Sequence, residues 1–212
     1  MHPHLEATLQ PEGLVSSLVS MTDEQAMWRV QMNDDHQAFA RLVARWEKPI
    51  FRLCARLTGD IHRGEDLKQE AFSKVFAKRK DYRATSKFST WLWRIALNLC
   101  YDELRRRQRL AKQLVDIGLE EQHVATPEFA SEQPGPDLRL VQQEENEAIR
   151  KALLSLDEEL RTVVVLRFCE GLKFREIAEL LDLPESTVHS KTAAGLARLA
   201  RIIEPGFRPP KT

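Results

Sequence analysis

The stretch FREIAELLDLPESTVHSKTAAGLARL, residues 174–199, contains two helix-like segments separated by a tight turn. Apolar residues, among them Ile177 and Val188, recur at the spacing of helices around the turn. Ala178 is the small residue expected where two steeply crossing helices touch, and Pro184 is predicted at the first position of the second helix. The pattern therefore predicts a helix-turn-helix. An ordinary helical hairpin with a solvated polar surface remains the open alternative.

In a helix-turn-helix, the first two turns of the second helix face base edges and phosphates in the major groove. The start of the preceding helix would touch the DNA backbone. The residues at these positions are Lys173, Arg175, Glu185, Ser186, Thr187, His189, Ser190 and Lys191. His189 also fits a simpler hypothesis, a neutral surface residue without base contact, because backbone contacts outnumber base contacts in most interfaces.

Outward from this motif, helical periodicity covers residues 145–205, followed by a tail at 206–212. Residues 113–144 contain several prolines and many acidic residues, which predicts a flexible linker. Residues 26–112 are periodic again and predict about four helices, whereas residues 1–25 predict a poorly ordered extension. The expected fold is all-α, with two small helical domains joined by a flexible acidic linker, the C-terminal one a helix-turn-helix.

The charges balance overall, with 32 Lys and Arg against 32 Asp and Glu, but their distribution is uneven. Basic residues dominate 87–112 and acidic residues dominate 116–147. Such a division leaves strong local fields, although the sum is zero. The hydrophobic content of 42% is sufficient for packed cores and excludes a wholly disordered chain.

The basic region begins with TWLWRIALNLCYDELRRRQR, residues 90–109, where aromatic rings precede a cluster of arginines on one predicted helix. A polar stripe at spacings of four, three and four consists of Asn98, Asp102, Arg105 and Arg109. Rings beside cations suit unpaired bases, since rings stack on bases and arginines hold phosphates. The alternative is that Trp91 and Trp93 are core residues and that the arginines form a solvated helix end.

Three ordered segments resemble the extracytoplasmic-function (ECF) sigma factors of the sigma-70 family. GEDLKQEAFSKVF, residues 64–76, resembles the polymerase-binding segment of that family. Residues 88–109 resemble its promoter-melting segment, and residues 160–199 resemble its minus-thirty-five domain. The resemblance covers about residues 36–110 and 145–203. It implies a protein that binds bacterial core RNA polymerase and directs promoter recognition, DNA melting and transcription initiation.

The resemblance also implies roles for individual residues. Those that would dock on the clamp helices of the largest polymerase subunit are Asp66, Leu67, Gln69, Glu70 and Phe72. Those that would bind the minus-ten element are Arg83, Lys87, Trp91, Trp93, Asn98, Asp102, Arg105, Arg106 and Arg109. Within this set, the loop from Arg83 to Lys87 would capture a flipped base, and Arg105 and Arg106 would hold phosphates. The helix-turn-helix residues would recognise the minus-thirty-five element.

The expected partners are core RNA polymerase, through its clamp helices and flap, promoter DNA and, in some members of the family, an anti-sigma factor. The family often has a lysine where this chain has His189, and larger side chains at Ala193 and Ala194. Each lost phosphate contact removes a counterion-release contribution, so weaker duplex affinity is expected. The linker and the N-terminal extension also look long for the family, which suggests regulation in cis or tolerated disorder.

Two other classes of function account for less of the sequence. A conventional helix-turn-helix regulator would bind duplex DNA without polymerase, but it has no use for the polymerase-binding segment or the ring-and-arginine stripe. An enzyme, a cofactor or a metal site is not expected, because there is no HExxH motif, glycine-rich phosphate loop or ligand-like histidine spacing. Cys54, Cys100 and Cys169 are expected to be reduced core residues of a cytoplasmic protein without membrane insertion.

Overall fold

A computed structural model describes residues 21–116 and 147–203. The first range, the N-terminal module, contains α1 (Asp23–Asn33), α2 (His36–Thr58), α3 (Ile61–Ala77), a 3₁₀ turn (Arg79–Asp81) and α4 (Phe88–Asp116). The second range, the C-terminal module, contains α5 (147–154), α6 (Glu158–Val164), a π-helical turn (Val165–Cys169), α7 (Phe174–Leu181) and α8 (Glu185–Ile203). Neither described range contains a strand, which confirms the all-α prediction. The predicted linker and tail lie largely outside the described residues.

Side-chain caps determine where the first helices begin. Thr22 forms a capping box with Gln25 at the start of α1, so this helix begins within the predicted N-terminal extension. Asp35 and Asp60 accept backbone N–H bonds of 2.9 Å at the starts of α2 and α3. Gly59 ends α2 with a left-handed φ of 70°, a conformation that glycine adopts without strain.

The core of the N-terminal module forms between α2, α3 and α4. Leu53, Leu67 and Leu92 are among its fully buried residues. Cys54 and Cys100 are also buried and free, as predicted, whereas Cys169 in the C-terminal module is half-buried. The backbones of α2 and α3 approach closely because position 64 is glycine: a Cβ atom there would lie 2.8 Å from the Cα of Ala55.

Gly64→Ala is expected to lower the free energy of unfolding by about 2 kcal/mol, because overpacking a tight contact forces helices apart. Urea denaturation of the purified variant would measure this loss. Ser73→Ala, at an exposed position on the same helix, serves as the control and should leave the transition in place. A Gly64→Ala protein as stable as the parent would contradict the close approach of α2 and α3.

The C-terminal module contains the predicted helix-turn-helix. Asp182 follows the last residue of α7 with a left-handed φ of 54°, and the N–H of Leu183 donates to the carbonyl of Ala178 at 3.0 Å. Pro184 lies immediately before α8 rather than inside it. Ile177 and Val188 are fully buried between the two helices. The predicted helix-turn-helix is confirmed.

The two modules share one continuous core. Arg161, which is 9% exposed, donates to the carbonyl of Leu57 at 2.7 Å, and Arg150 donates to that of Gly59 at 3.1 Å. The two guanidinium groups donate to backbone carbonyls at the C-terminal end of α2, where the last carbonyls of a helix have no donor within the helix. The C-terminal module is therefore built against the turn between α2 and α3.

Candidate nucleic-acid and polymerase interfaces

A polar stripe runs along α4 on the side opposite its buried residues. Its exposed members are Arg94, Asn98, Asp102, Arg105 and Arg109. The intervening Leu92, Ala96 and Leu99 are buried. Arg105 lies 3.5 Å from the carboxylate of Asp102, and both side chains are about two-thirds exposed. This exposure agrees with the periodicity, because residues three and four apart share one face of a helix.

The two tryptophans that precede the stripe are packed rather than free. Trp93 is 5% exposed and meets Trp46 edge to face, with ring centroids 5.9 Å apart. Trp91 is half-buried against Tyr82, with a centroid distance of 5.2 Å. A ring as buried as Trp93 cannot stack on a base in this arrangement. The prediction of a base-contacting Trp93 is therefore corrected to a core position, because its side chain points towards α2 and not along the polar stripe.

The loop from Arg83 to Lys87 is anchored at its base and exposed at its tip. The Tyr82 hydroxyl donates to the carbonyl of Ser86 at 2.9 Å, and Gln31 Nε2 donates to the carbonyl of Tyr82 at 2.7 Å. Burial raises the pKa of Tyr82, so this hydroxyl stays protonated and can donate. Arg83 is exposed, and Lys87 Nζ lies 3.3 Å from Glu176 of α7.

A buried carboxylate that the sequence reasoning missed organises the arginine cluster. The side chain of Glu103 is 1% exposed and accepts two hydrogen bonds of 2.9 Å from Arg106, together with one of 2.8 Å from Arg107. Arg63 of α3 approaches it at 3.2 Å. Burial by itself would raise the pKa of Glu103, but the bonds from Arg106 and Arg107 and the charge of Arg63 lower it to about 2.

Arg106 belongs to this cluster and is also a predicted phosphate contact. Its guanidinium donates two hydrogen bonds to Glu103, and its side chain is still 55% exposed. Arg105 and Arg109 are exposed as well, so the phosphate role of these arginines stays a prediction. The sequence contained a signal for the pairing of Glu103, because an acidic residue followed three and four positions later by arginines favours ion pairs along a helix.

The predicted polymerase-binding residues on α3 divide into two faces. Asp66 and Gln69 are exposed, and Glu70 is partly exposed beside Lys74 at 3.1 Å. Leu67 and Phe72 are 1% and 6% exposed, and Phe72 packs against Phe39 of α2. The prediction that Leu67 and Phe72 contact a partner is corrected. They belong to the apolar side of an amphipathic helix and support the acidic face.

The DNA-binding candidates of the helix-turn-helix form a mostly open surface. Exposed members are Lys173, Arg175, Glu185, Ser186, His189 and Ser190, and half-buried members are Thr187 and Lys191. The His189 ring lies on Phe174 with centroids 3.8 Å apart, and the Arg167 guanidinium lies 4.7 Å from the same ring. Lys191 pairs with Glu159 of α6. His189 is therefore positioned by packing, although its side chain remains half exposed.

Across 21–116 and 147–203, no three His, Cys, Asp or Glu side chains come together in a manner that could hold a metal ion. Within the same ranges, no helix combines the length and the apolar character needed to cross a membrane.

Comparison with known proteins identifies both modules. Residues 42–110 match the family model of sigma-70 region 2, and residues 146–199 match that of sigma-70 region 4. The chain is 31% identical over 167 residues to the ECF RNA polymerase sigma factor SigW of Bacillus subtilis (strain 168), covering 79% of this chain and 89% of that protein. It is 30% identical over 190 residues to the ECF RNA polymerase sigma-E factor of Escherichia coli (strain K12), covering 89% and 97%.

Solved structures share the fold. The sigma factor RpoE bound to the anti-sigma factor NepR, from Bartonella quintana, superposes with a TM-score of 0.63 at 21% identity, covering 80% of this chain and 98% of that one. CnrH bound to the cytosolic domain of CnrY gives the same TM-score and identity, covering 87% and 99%. Two family models in the expected order, and relatives that align over most of both chains, lead to one conclusion. This chain is a member of the ECF sigma factors of the sigma-70 family.

Proposed function

We propose that this sigma factor binds bacterial core RNA polymerase in the cytoplasm and directs it to promoters, where the N-terminal module recognises the opened minus-ten element and the C-terminal module recognises the minus-thirty-five element. The observation that carries the proposal is the exposed polar stripe on α4 in a chain that also contains a helix-turn-helix. One surface suits separated strands and the other suits duplex DNA. Alone, neither surface would define a promoter.

On the minus-ten side, the stripe supplies the groups that an unpaired strand requires. The Asn98 amide can pair with a base edge, while the exposed Arg105 and Arg109 can hold phosphates. Flipping a base out of the duplex costs about a few kcal/mol of stacking energy. Binding of the flipped base at the loop from Arg83 to Lys87 must offset this cost. Strand opening then draws on binding energy and needs no nucleotide hydrolysis.

On the minus-thirty-five side, α8 would enter the major groove with Ser186, His189 and Ser190 facing the bases. Lys173 and Arg175 at the start of α7 would contact phosphates. The polymerase would hold this module through its flap, so the modest number of cations on α8 need not supply the affinity alone. An anti-sigma factor is a further expected partner, since two proteins of the same fold were solved in complexes.

The proposal is tested by mixing the purified chain with bacterial core polymerase and mapping the RNA starts on genomic templates. Promoter-specific starts that depend on the chain are expected. A conventional regulator would instead shift a palindromic duplex in a gel without polymerase. Failure of the chain to join core polymerase, or a joined complex that starts no RNA from any template, would refute the proposed function.

The acidic face of α3 gives a separate prediction about attachment to polymerase. Asp66→Arg is expected to weaken binding to core polymerase by about tenfold, because a like charge would face the basic clamp helices. Fluorescence titration of labelled chain with core polymerase measures the effect. Asp81→Arg, an equal charge reversal at an exposed position outside α3, is the control. Equal affinities for the two variants would remove Asp66 from the interface.

A further inference from the structure

One tryptophan of this chain presents most of its ring to solvent. Trp28 of α1 is 57% exposed, whereas Trp93 is 5% exposed and Trp46 and Trp91 are half-buried. Met32, one helical turn beyond Trp28, is also exposed, so the two side chains form an apolar patch on α1. Tryptophan is enriched at contact surfaces, because its large ring gains by leaving water. The patch on α1 therefore indicates a binding surface that the proposed roles of α3, α4 and α8 do not use.

The helix that carries Trp28 holds both ends of the loop from Arg83 to Lys87. Before the loop, Gln31 Nε2 of α1 donates to the carbonyl of Tyr82 at 2.7 Å. After the loop, the backbone N–H of Phe88 donates to the carboxylate of Glu24, also on α1, at 3.1 Å. The loop is thus attached to α1 at its start and at its end.

Trp28 lies between these two attachment points. It follows Glu24 by four residues and precedes Gln31 by three, so the three side chains fall within about 60° around the helix axis. Along the axis, Trp28 lies about 6 Å from Glu24 and about 4.5 Å from Gln31. Helical side chains lean towards the N-terminus of their helix, which here is the end that binds Phe88. Helix geometry therefore places the Trp28 ring beside the loop.

The surroundings of Trp28 suit an unpaired nucleotide. Arg83 and Lys87 are exposed on the loop and can hold phosphates. Tyr82 and Phe88, which flank the loop, are buried and pack edge to face with ring centroids 6.0 Å apart, so neither ring is available to a base. Single-strand-binding surfaces combine cations for the backbone with an accessible ring for a base. At this loop, Trp28 supplies the accessible ring.

From this arrangement we infer that Trp28 stacks on the unpaired base captured at the loop from Arg83 to Lys87 and so adds affinity for the opened minus-ten element. The inference rests on the proposed role of this loop. Continuity of the patch with the loop favours a nucleotide over a protein as its occupant. Every base has a π face, so stacking on Trp28 stabilises the flipped base without specifying which base it is.

Trp28→Ala is expected to weaken oligonucleotide binding by the complex of the full chain with core polymerase about tenfold. The probe is a labelled single-stranded oligonucleotide from the minus-ten region of a promoter mapped with the parent chain, with each strand tested separately. Trp28→Phe keeps a ring and should lose no more than about threefold. Met32→Ala removes an exposed apolar side chain from the same helix and is the control, which should bind as the parent does.

Oligonucleotides with one abasic site at successive positions identify the stacked base. At the position that Trp28 contacts, the parent loses the stacking and Trp28→Ala has nothing further to lose, so the two should bind with equal affinity. At the other positions the difference between them should persist. A structural effect of the substitution would instead weaken binding of every oligonucleotide by the same factor, and that result would overturn the inference.

Attachment to core polymerase, measured by fluorescence titration, should be the same for the parent and Trp28→Ala. A loss of attachment that accounts for the loss of DNA binding would assign the patch to a protein contact and overturn the inference. Unchanged oligonucleotide binding by Trp28→Ala would overturn it as well. Promoter-specific transcription by the parent chain with core polymerase would still support the proposed function in both cases, whereas its absence would refute the proposed function itself.

Discussion

Asn98→Ala is expected to lower promoter opening by roughly 30-fold while attachment to core polymerase stays unchanged. A well-placed amide contact to a base contributes about 2 kcal/mol, and this energy is realised only when the strand is open. Asn98 is exposed on α4 and makes no contribution to the core, so the variant should fold normally. The rate of open-complex formation, followed by permanganate reactivity of unpaired thymines, measures the loss.

Gln108→Ala is the matched control, since it removes another exposed amide from the same helix outside the polar stripe. It should leave the opening rate within about twofold of the parent, as surface substitutions usually do. If Asn98→Ala opened promoters at the parental rate, base recognition would have to lie elsewhere on the module. Equal loss of opening and of core attachment would indicate misfolding and not the loss of a base contact.

Glu103→Gln is expected to lower the free energy of unfolding by about 3 kcal/mol at neutral pH, because it leaves a three-arginine cluster without its buried counter-charge. Asp102→Asn, one residue away and 70% exposed at the side chain, should cost little. Urea denaturation of both variants at neutral pH makes the comparison. Similar stability of the two variants would show that the cluster does not hold α4 against α3.

The pH dependence of stability tests the same cluster, because the contribution of Glu103 should be lost as the pH falls. The pKa of Glu103 is about 2 in the folded chain, below its usual value of 4.5, so the folded state favours the ionised form. Its contribution is complete above pH 4.5 and is lost as the pH falls towards 2. The difference in stability between parent and Glu103→Gln should therefore shrink below pH 4.5. A difference that stays constant from neutral pH into this acid range would contradict the pairing.

Local sequence patterns were sufficient to predict the helices and to predict which face of each helix is polar. The turn before Pro184 and the polar stripe of α4 follow from spacing and from turn chemistry, which involve residues close together in sequence. The same patterns did not decide whether the tryptophans are buried or available to stack on bases. Both hypotheses for Trp93 were compatible with its sequence neighbours, and only Trp46, which is far away in the chain, decides for burial.

The order of the motifs, the helical fold and the family of this protein were thus determined by the sequence itself, because helix periodicity and turn chemistry act within a few residues. Tertiary structure decided which candidates face solvent, since Leu67 and Phe72 are buried and Phe72 packs against Phe39 of α2. It also decided that α7 contacts α4, where Arg94 donates to the carbonyl of Glu179. Those outcomes depend on contacts between residues distant in sequence, about which a local pattern contains no information.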